Sequence, residues 1–466
     1  MSPAPVVGRV LALGLTCLPL PALAHAGSAP SVDLTGHPLG LIAVAVFVIA
    51  YLLVVLEERL HLRKSKPVML GAAVIWGLIA WYGANTPGMP ADFAANAFRH
   101  IFLEFAELFF FLIVAMTFVA AMTERNVFES LRATLVSRGF GYRQLFWITG
   151  VISFFLSAVL DNLTTALIMS AVIMAVGAGN LRFITLGFIN LVVAANAGGA
   201  WSAFGDITTL MVWQAHRVEF FEFFSLFIPS VVNWLVPALI LHFALPPGSP
   251  PPGRDDAEVK YGGWFICGLF AVTIALTVAG KQFLHMPPVF GMMAGLALLK
   301  LQGFFIQRRD ARTGARDGGR YNVFELIAQA EWDTLLFFYG VLLCVGGLAT
   351  MGFLQLMSTG LYGQLGPTGA NVALGTLSAI VDNIPIMYAV LQMNPAMDHG
   401  QWLLITLTAG VGGSLLSVGS AAGVALMGVS RGRYTFMSHL KWTWAIALGY
   451  IASIFTHLWI NARHFS

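Results

Sequence analysis

The sequence predicts an all-α polytopic membrane protein with two inverted-topology repeats, each carrying a re-entrant hairpin and an unwound transmembrane helix. Three observations predict this fold class. Of the 466 residues, 58% are apolar and only 10% are charged, whereas a soluble domain has about 25% charged residues. Apolar runs long enough to cross a bilayer recur along the whole chain. Several polar segments that interrupt these runs occur twice, in the same order.

The first 24 residues (1–24) are predicted to be a cleaved signal peptide. Arg9 supplies a positive start, residues 10–20 form an apolar core, and Ala22-Leu23-Ala24 provides a small-residue cleavage site. A short first membrane helix is the alternative interpretation, but the apolar core is short and prolines interrupt its end. Cleavage would leave the mature N-terminus in the periplasm.

Apolar stretches and the polar residues between them predict the membrane spans. The continuous stretches lie near residues 38–56, 67–84, 100–122, 222–244, 262–281, 287–305, 333–352 and 440–460. Gly, Asn, Asp or Pro interrupts four others, at 144–178, 182–214, 370–394 and 401–428. The chain is therefore expected to contain two N-terminal transmembrane helices (38–99), a first repeat (100–244), connecting loops with two further helices (245–330) and a second repeat (331–466).

The distribution of lysine and arginine predicts the orientation in a bacterial inner membrane. If 144–178 and 370–394 are hairpins that return to the face they left, nearly all basic residues after the signal peptide are cytoplasmic. The exceptions are Arg99, Arg217, Lys281 and Arg463. The positive-inside rule describes such a bias. It predicts re-entrant hairpins and a periplasmic C-terminus.

An internal repeat relates the two halves. SAVLDN at 157–162 matches SAIVDN at 378–383, and NAGGAWSAFGD at 196–206 parallels GVGGSLLSVGS at 410–420. Upstream, AELFFF at 106–111 parallels WDTLLF, which begins with Trp332. The charge distribution gives the matched spans opposite directions across the membrane. Opposite repeats of this kind are typical of secondary transporters, whose sites lie at the repeat interface.

Each hairpin has an Asp-Asn pair at its interruption, which predicts a cation site. The pairs are Asp161-Asn162, followed by Thr164, and Asp382-Asn383. Carboxylate, amide and hydroxyl oxygens can replace water around a small hard cation such as Na⁺. The alternative is that both aspartates only cap the following half-helix. Capping does not require a buried charge, and ionisable residues inside a membrane mark ion or proton paths.

Ser157 and Ser378 lie four residues before each aspartate, so in regular half-helices they would face the same site. Asp206 follows a glycine-rich interruption that is expected to begin at Asn196, and it is predicted to bind the cation as well, together with Asp161 and Asp382. Ser420 takes the matching position in the second half. Close packing of small residues explains the glycines but does not explain Asp206.

Further carboxylates are predicted to line the access routes. Glu104 and Glu107 lie on one face of the third span, and Asp333 begins the matching span of the second half. The alternative is that Glu104 and Glu331 lie at helix ends, at the level of the lipid headgroups. Four histidines are predicted to be ordinary surface residues, namely His216, His285, His399 and His439.

Through the DNLTT, NAGGAWSAFGD and VDNIP segments, the sequence resembles the NhaD-type sodium/proton antiporters of the ion transporter superfamily over residues 38 to 460. The resemblance implies Na⁺ or Li⁺ efflux driven by inward proton flow, a homodimer in the lipid bilayer, and no cofactor or nucleic-acid partner. It carries functional roles onto Ser157, Asp161, Asn162, Thr164, Asp206, Asp333, Ser378, Asp382 and Asn383.

Two rival functions are compatible with parts of the sequence. An exporter or importer of a small carboxylate or oxyanion would use the half-helix N-termini, but relatives with such substrates have neutral hairpin tips, and here each asparagine follows an aspartate. An intramembrane aspartyl enzyme would use Asp161 and Asp382 as a pair, but no GxGD-like sequence surrounds them. Exchange of Na⁺ for protons at buried carboxylates, without enzymatic activity, is therefore expected.

Overall fold

The computed structural model describes residues 31–60, 62–177, 180–249, 257–313 and 321–465. The predicted signal peptide lies outside these ranges. Within them the secondary structure is helical throughout, and nine helices are long and apolar enough to cross a membrane. The protein is thus an all-α polytopic membrane protein, as the sequence predicts.

The α-helices of the described ranges follow one another along the chain. They are α1 (Pro38–Val55), α2 (Glu57–Leu60), α3 (Ser65–Asn85), α4 (Phe93–Glu124), α5 (Val127–Ser137), α6 (Tyr142–Leu160), α7 (Asn162–Val176), α8 (Leu181–Ala200), α9 (Ile207–Gln214), α10 (Phe227–Ala244), α11 (Gly263–Leu284), α12 (Pro288–Thr313), α13 (Val323–Ala328), α14 (Trp332–Thr350), α15 (Phe353–Leu377), α16 (Asn383–Met393), α17 (His399–Gly412), α18 (Ala421–Val429), α19 (Phe436–Leu440) and α20 (Thr443–Ile460).

The third predicted span is longer than expected. Helix α4 begins at Phe93 rather than near residue 100 and has 32 residues. At 1.5 Å per residue it is about 48 Å long, against about 30 Å for the hydrocarbon core. Glu104 therefore lies inside a continuous helix, and the alternative of a helix end does not apply to it.

Each of the four interrupted stretches forms two helices, as the polar residues predict. Asp161 separates α6 from α7 with a φ of 73°, a backbone conformation that is uncommon outside glycine. Asp382 precedes α16, and Gly366 bends α15 with a φ of 66°. The interruption after α8 starts at Trp201, since Asn196 is still helical. The prediction that the helix breaks at Asn196 is therefore wrong by about one turn.

The helices pack on one another in pairs. Helix α6 packs on α8, α15 packs on α17, and α10 lies along α20. Helices α11 and α12 pack on each other and on α4, whereas α3 packs on α14. Helix α8 is the most deeply buried of the candidate spans, with 94% of its apolar stretch inside the protein. This packing brings the N-termini of α7, α9 and α16 together in the interior.

Candidate ion-binding site

Asp206 occupies the centre of the polar cluster. It is 3% exposed and forms the N-cap of α9, where its Oδ1 accepts a hydrogen bond from the Thr208 N–H at 3.1 Å. Its Oδ2 accepts two further hydrogen bonds of 2.9 Å, from Nδ2 of Asn162 and from Nδ2 of Asn383. The cap uses one carboxyl oxygen, and the other is turned toward both hairpin tips. Asp206 thus caps α9 with Oδ1 and faces the site with Oδ2, so the two interpretations of this residue are compatible.

Asn196 is a site residue that the sequence-based assignment omitted. It is fully buried in α8, and its Oδ1 accepts a hydrogen bond of 3.0 Å from Asn162. Its Nδ2 donates to the hydroxyls of Ser414, at 2.8 Å, and Ser420, at 3.0 Å. Asn196 therefore joins the first hairpin to the second interrupted helix. The sequence contains one indication of this role. An asparagine within an apolar helix needs a buried hydrogen-bonding partner.

Asp161 and Asp382 both cap the helices that follow them. Asp161 accepts hydrogen bonds of 2.8 Å from the N–H and the hydroxyl of Thr164, one on each carboxyl oxygen. Oδ1 of Asp382 lies 3.5 Å from the N–H of Ile384. Both carboxyl groups line the same cavity as Asp206. The predicted pair thus flanks a third carboxyl group.

A small cavity of about 80 Å³ opens onto this cluster. Since one water molecule needs about 10–15 Å³ by this measure, the space admits a partly hydrated ion. Its polar lining consists of Asp161, Asn162, Thr164, Asp206, Asp382, Asn383, Thr334, Glu331 and Lys64. The cavity extends from the hairpin tips toward Lys64 and Glu331, on the side that the basic residues predict to be cytoplasmic.

The two predicted hairpin serines make the same contact in each half. The hydroxyl of Ser157 donates to the carbonyl oxygen of Ala195 at 2.6 Å, and that of Ser378 donates to the carbonyl oxygen of Ala409 at 2.9 Å. Each bond joins a hairpin helix to the interrupted helix that packs on it. The hydroxyl protons therefore point away from the Asp161 and Asp382 carboxyl groups.

The predicted access residues separate into two groups. Glu104 and Glu107 line a second cavity of about 630 Å³. Glu104 Oε2 accepts hydrogen bonds from Tyr388, at 2.8 Å, and from Gln392, at 3.1 Å, both on α16. Asp333 instead accepts a hydrogen bond from Ser65 at the start of α3. Its neighbour Glu331 lines the small cavity.

His439 contradicts the prediction of a surface histidine. It is fully buried in α19, a short helix outside the membrane-spanning helices. Its Nδ1 lies 2.6 Å from the Tyr434 hydroxyl and its Nε2 lies 2.9 Å from the Ser414 carbonyl oxygen. Burial lowers the pKa of this imidazole to about 4. The charged sequence around it predicted exposure, but α19 folds beneath the second interruption.

An all-α membrane protein with interrupted helices that meet at buried carboxyl and amide groups has the features of a secondary transporter. The family model described as citrate transporter (CitMHS) matches residues 35–410. A protein of Alkalimonas amylolytica named Na(+)/H(+) antiporter NhaD is 52% identical over 97% of both chains. Proteins with the same name from Vibrio cholerae serotype O1 and Halomonas elongata are 50% and 51% identical, over 99% and 98% of this chain and 100% and 95% of their own.

The chain therefore belongs to the citrate transporter (CitMHS) family, and within it to the NhaD antiporters. These relatives are secondary transporters rather than enzymes, and the resemblance seen in the hairpin motifs is confirmed over nearly the whole length of the chain.

Proposed function

We propose that this protein is a secondary antiporter that exports Na⁺ from the bacterial cytoplasm in exchange for protons. The carrying observation is that Oδ2 of the buried Asp206 lies between the amides of Asn162 and Asn383, beside a cavity that two further carboxyl groups line. Among the described residues, Lys64 is the one basic side chain in the lining of this cavity, and no lysine, arginine or histidine forms an ion pair with any of the three carboxyl groups. A bound cation or a proton is thus the natural source of charge compensation.

Competition between these two cations provides the mechanism. Removal from water disfavours the charged form of a carboxyl group, and neighbouring negative charges add to this effect. The site is therefore stable when a proton or a sodium ion neutralises it, and unstable when it is empty and charged. Alternating access follows if only the neutralised site exposes itself to the other side of the membrane.

The two cavities supply the access routes in this proposal. The large cavity, with Glu104 and Glu107, leads from the periplasm, and the small cavity leads toward the cytoplasmic end of α3 and α14. The volumes, about 630 Å³ and about 80 Å³, differ strongly. The structure then corresponds to a state whose wide opening faces the periplasm and whose cytoplasmic route is narrow.

Repeated local contacts support the proposal that the halves are inverted repeats with re-entrant hairpins. The hydroxyls of Ser157 and Ser378 make equivalent bonds. In both interruptions, two glycines six residues apart meet so closely that a Cβ on the first would lie 2.5–2.6 Å from the carbonyl oxygen of the second, at Gly199 with Gly205 and Gly413 with Gly419. A periplasmic position for both mature termini, Li⁺ as a second substrate and a homodimer belong to the same proposal.

A carboxylate substrate, which the description of the family model suggests, fits this site less well. The N-termini of α7, α9 and α16 are capped by Asp161, Asp206 and Asp382, and these groups occupy the positions where an anion would bind. A carboxylate entering the small cavity would meet three like charges. The arrangement favours a cation.

Antiport in everted membrane vesicles tests the proposal. Vesicles are acidified by respiration, and a fluorescent pH probe records proton release when NaCl, LiCl, KCl or citrate is added. We expect release with Na⁺ and Li⁺, little with K⁺, none with citrate at constant cation concentration, and none from Asp206→Asn. Dependence on citrate instead of Na⁺ would replace this proposal with the carboxylate alternative.

A further inference from the structure

Lys281 is a buried cation that the site described above does not include. It lies near the end of α11, and 5% of it is exposed. Its ammonium group donates a hydrogen bond to the carbonyl oxygen of Trp213 and lies 4.5 Å from the centroid of the Trp213 ring. Burial of a lysine within a membrane protein costs free energy, and buried ionisable residues in membrane proteins usually have a functional role. The contact with Trp213 is therefore a candidate for such a role.

The contact is made at one end of α9, and Asp206 lies at the other. Trp213 belongs to the last turn of α9, and its carbonyl oxygen already accepts the His216 N–H at 3.1 Å. Lys281 is thus a second donor, and the carbonyl does not need it to be satisfied. A cation at this place interacts favourably with the C-terminal end of the helix dipole. Helix α9 has eight residues and is about 12 Å long, so a shift at its end reaches Asp206.

The contact also joins two different parts of the fold. Helix α9 packs on α16 and α17, which belong to the second half, whereas α11 packs on α4 and α12. Lys281 therefore ties the half-helix that carries the central carboxyl group to a helix that lies between the repeats. Its distance in sequence from Trp213, 68 residues, hides the relationship from any local motif.

We infer that Lys281 is a positioning residue for Asp206: it fixes the outer end of α9, so that the Asp206 carboxyl group stays between Asn162 and Asn383. Lys281 itself does not coordinate the transported ion. Where the role of Lys281 is measured through Na⁺ exchange, the inference rests on the proposed function. A second consequence, the mobility of α9, can be measured without transport. Loss of the contact loosens α9.

Three substitutions separate charge from hydrogen bonding. Lys281→Met removes both, Lys281→Gln keeps a donor, and Lys281→Arg keeps both. Lys300→Met is the matched control, because Lys300 also lies over an aromatic ring, 4.7 Å from the centroid of Phe324, but is exposed on α12. The half-saturating Na⁺ concentration and the maximal exchange rate are measured in everted vesicles. Hydrogen–deuterium exchange of α9 is followed by mass spectrometry on purified protein.

We expect Lys281→Met to raise the half-saturating Na⁺ concentration about tenfold, the scale of one charge-assisted hydrogen bond, with a maximal rate close to wild type. The half-saturating Na⁺ concentration of Lys281→Gln should lie between those of wild type and Lys281→Met. Lys281→Arg and Lys300→Met should resemble wild type. Amide exchange in α9 should become faster in Lys281→Met and stay slow in Lys281→Arg. If Lys281→Met does not yield folded protein, Na⁺ half-saturation and α9 amide exchange are compared between Lys281→Gln and Lys281→Arg. A difference between these two variants then supports the inference, and equal values contradict it.

Unchanged deuterium exchange in α9, or unchanged Na⁺ half-saturation in a variant that transports, would overturn the inference. A wild-type protein without Na⁺-dependent proton release would overturn the proposed function instead. In that case the deuterium exchange of α9 still decides whether Lys281 positions this helix.

Discussion

Nδ2 of Asn383 lies 2.9 Å from Oδ2 of Asp206, and this hydrogen bond connects the tip of the second hairpin to the interrupted helix of the first half. Asn162 makes the equivalent bond from the tip of the first hairpin. One carboxyl group therefore receives both hairpins. Since Ser420 stands where a twofold copy of Asp206 would be, the charge around the site is asymmetric, and the two halves are expected to respond differently to mutation.

Asp206→Ser is expected to weaken Na⁺ binding about a hundredfold or more. Serine is nearly as good an N-cap as aspartate, so the cap of α9 is retained and the charge is lost. Two unit charges about 4 Å apart interact by about 4 kcal/mol at an effective dielectric constant of about 20. Ser420→Ala, the control in the second half, should cost about 1 kcal/mol, as one neutral hydrogen bond does. The half-saturating Na⁺ concentration in everted vesicles is measured for both variants. Near-wild-type affinity in Asp206→Ser would show that Asp206 only caps α9.

Asn383→Ala is expected to raise the half-saturating Na⁺ concentration by roughly ten- to a hundredfold, because a hydrogen bond to a charged group contributes about 1.5–3 kcal/mol. Asn371→Ala is the matched control. Asn371 is also fully buried, but it donates to Gln401 and lies outside the cavity lining. Both variants should lose thermal stability, and only Asn383→Ala should lose Na⁺ affinity. Equal effects on Na⁺ affinity would show that the loss is structural.

Asp161→Asn and Asp382→Asn are each expected to abolish exchange while inserting normally, because removal of a charge from an apolar segment does not hinder insertion. Asp333→Asn should have a smaller effect, since Asp333 is hydrogen-bonded to Ser65 and does not line the small cavity. Vesicle exchange and the amount of protein in the membrane are measured together. Normal exchange in both hairpin variants would refute a role for these carboxylates.

Cysteines at the open ends of the hairpins should be labelled from opposite sides. Arg182→Cys follows the first hairpin and should react with an impermeant maleimide only from the cytoplasm, and Ala396→Cys follows the second and should react only from the periplasm. Both positions are exposed. The described native cysteines, Cys267 and Cys344, are replaced beforehand, as is Cys17. Labelling of both positions from one side would refute the inverted repeat.

His439 is expected to reduce the stability of the protein as the pH falls from about 6.5 toward 4, because it is buried in its neutral form. Its pKa in the folded protein is about 4, whereas an unfolded histidine has a pKa of about 6.5. In this interval the unfolded chain binds a proton that the folded protein does not, so acid favours unfolding. His439→Asn removes this contribution, so its unfolding temperature should fall less from pH 8 to pH 5 than that of the wild type, whereas His285→Asn at an exposed position should not change this difference. The unfolding temperature of the purified protein at pH 5 and pH 8 measures this. An equally steep dependence in His439→Asn would assign the acid sensitivity to other groups.

The helices and their interruptions could be predicted because they depend on neighbouring residues. The apolar runs predicted the bounds of α1 and α3 within about two residues, and Asp161 and Asp382 marked the hairpin interruptions. Errors arose where a helix continued through polar residues. Helix α4 starts seven residues early because its first turns lack a helix breaker, and α8 continues past Asn196 because the amide of this residue finds buried partners.

By itself, the sequence determined the membrane class, the places where helices break and the chemical type of the site, since composition and local motifs carry that information. Only the tertiary structure decided which groups meet. Asp206 rather than Asp161 receives both hairpin amides, Asn196 joins the halves, and Asp333 turns to Ser65, 268 residues away in sequence. His439 is buried although its surroundings in the sequence suggest exposure, and Lys281 is buried against Trp213, 68 residues away in sequence. Such pairings depend on how helices that are distant in sequence pack together, and their energies come from burial of polar groups that no short segment can satisfy alone.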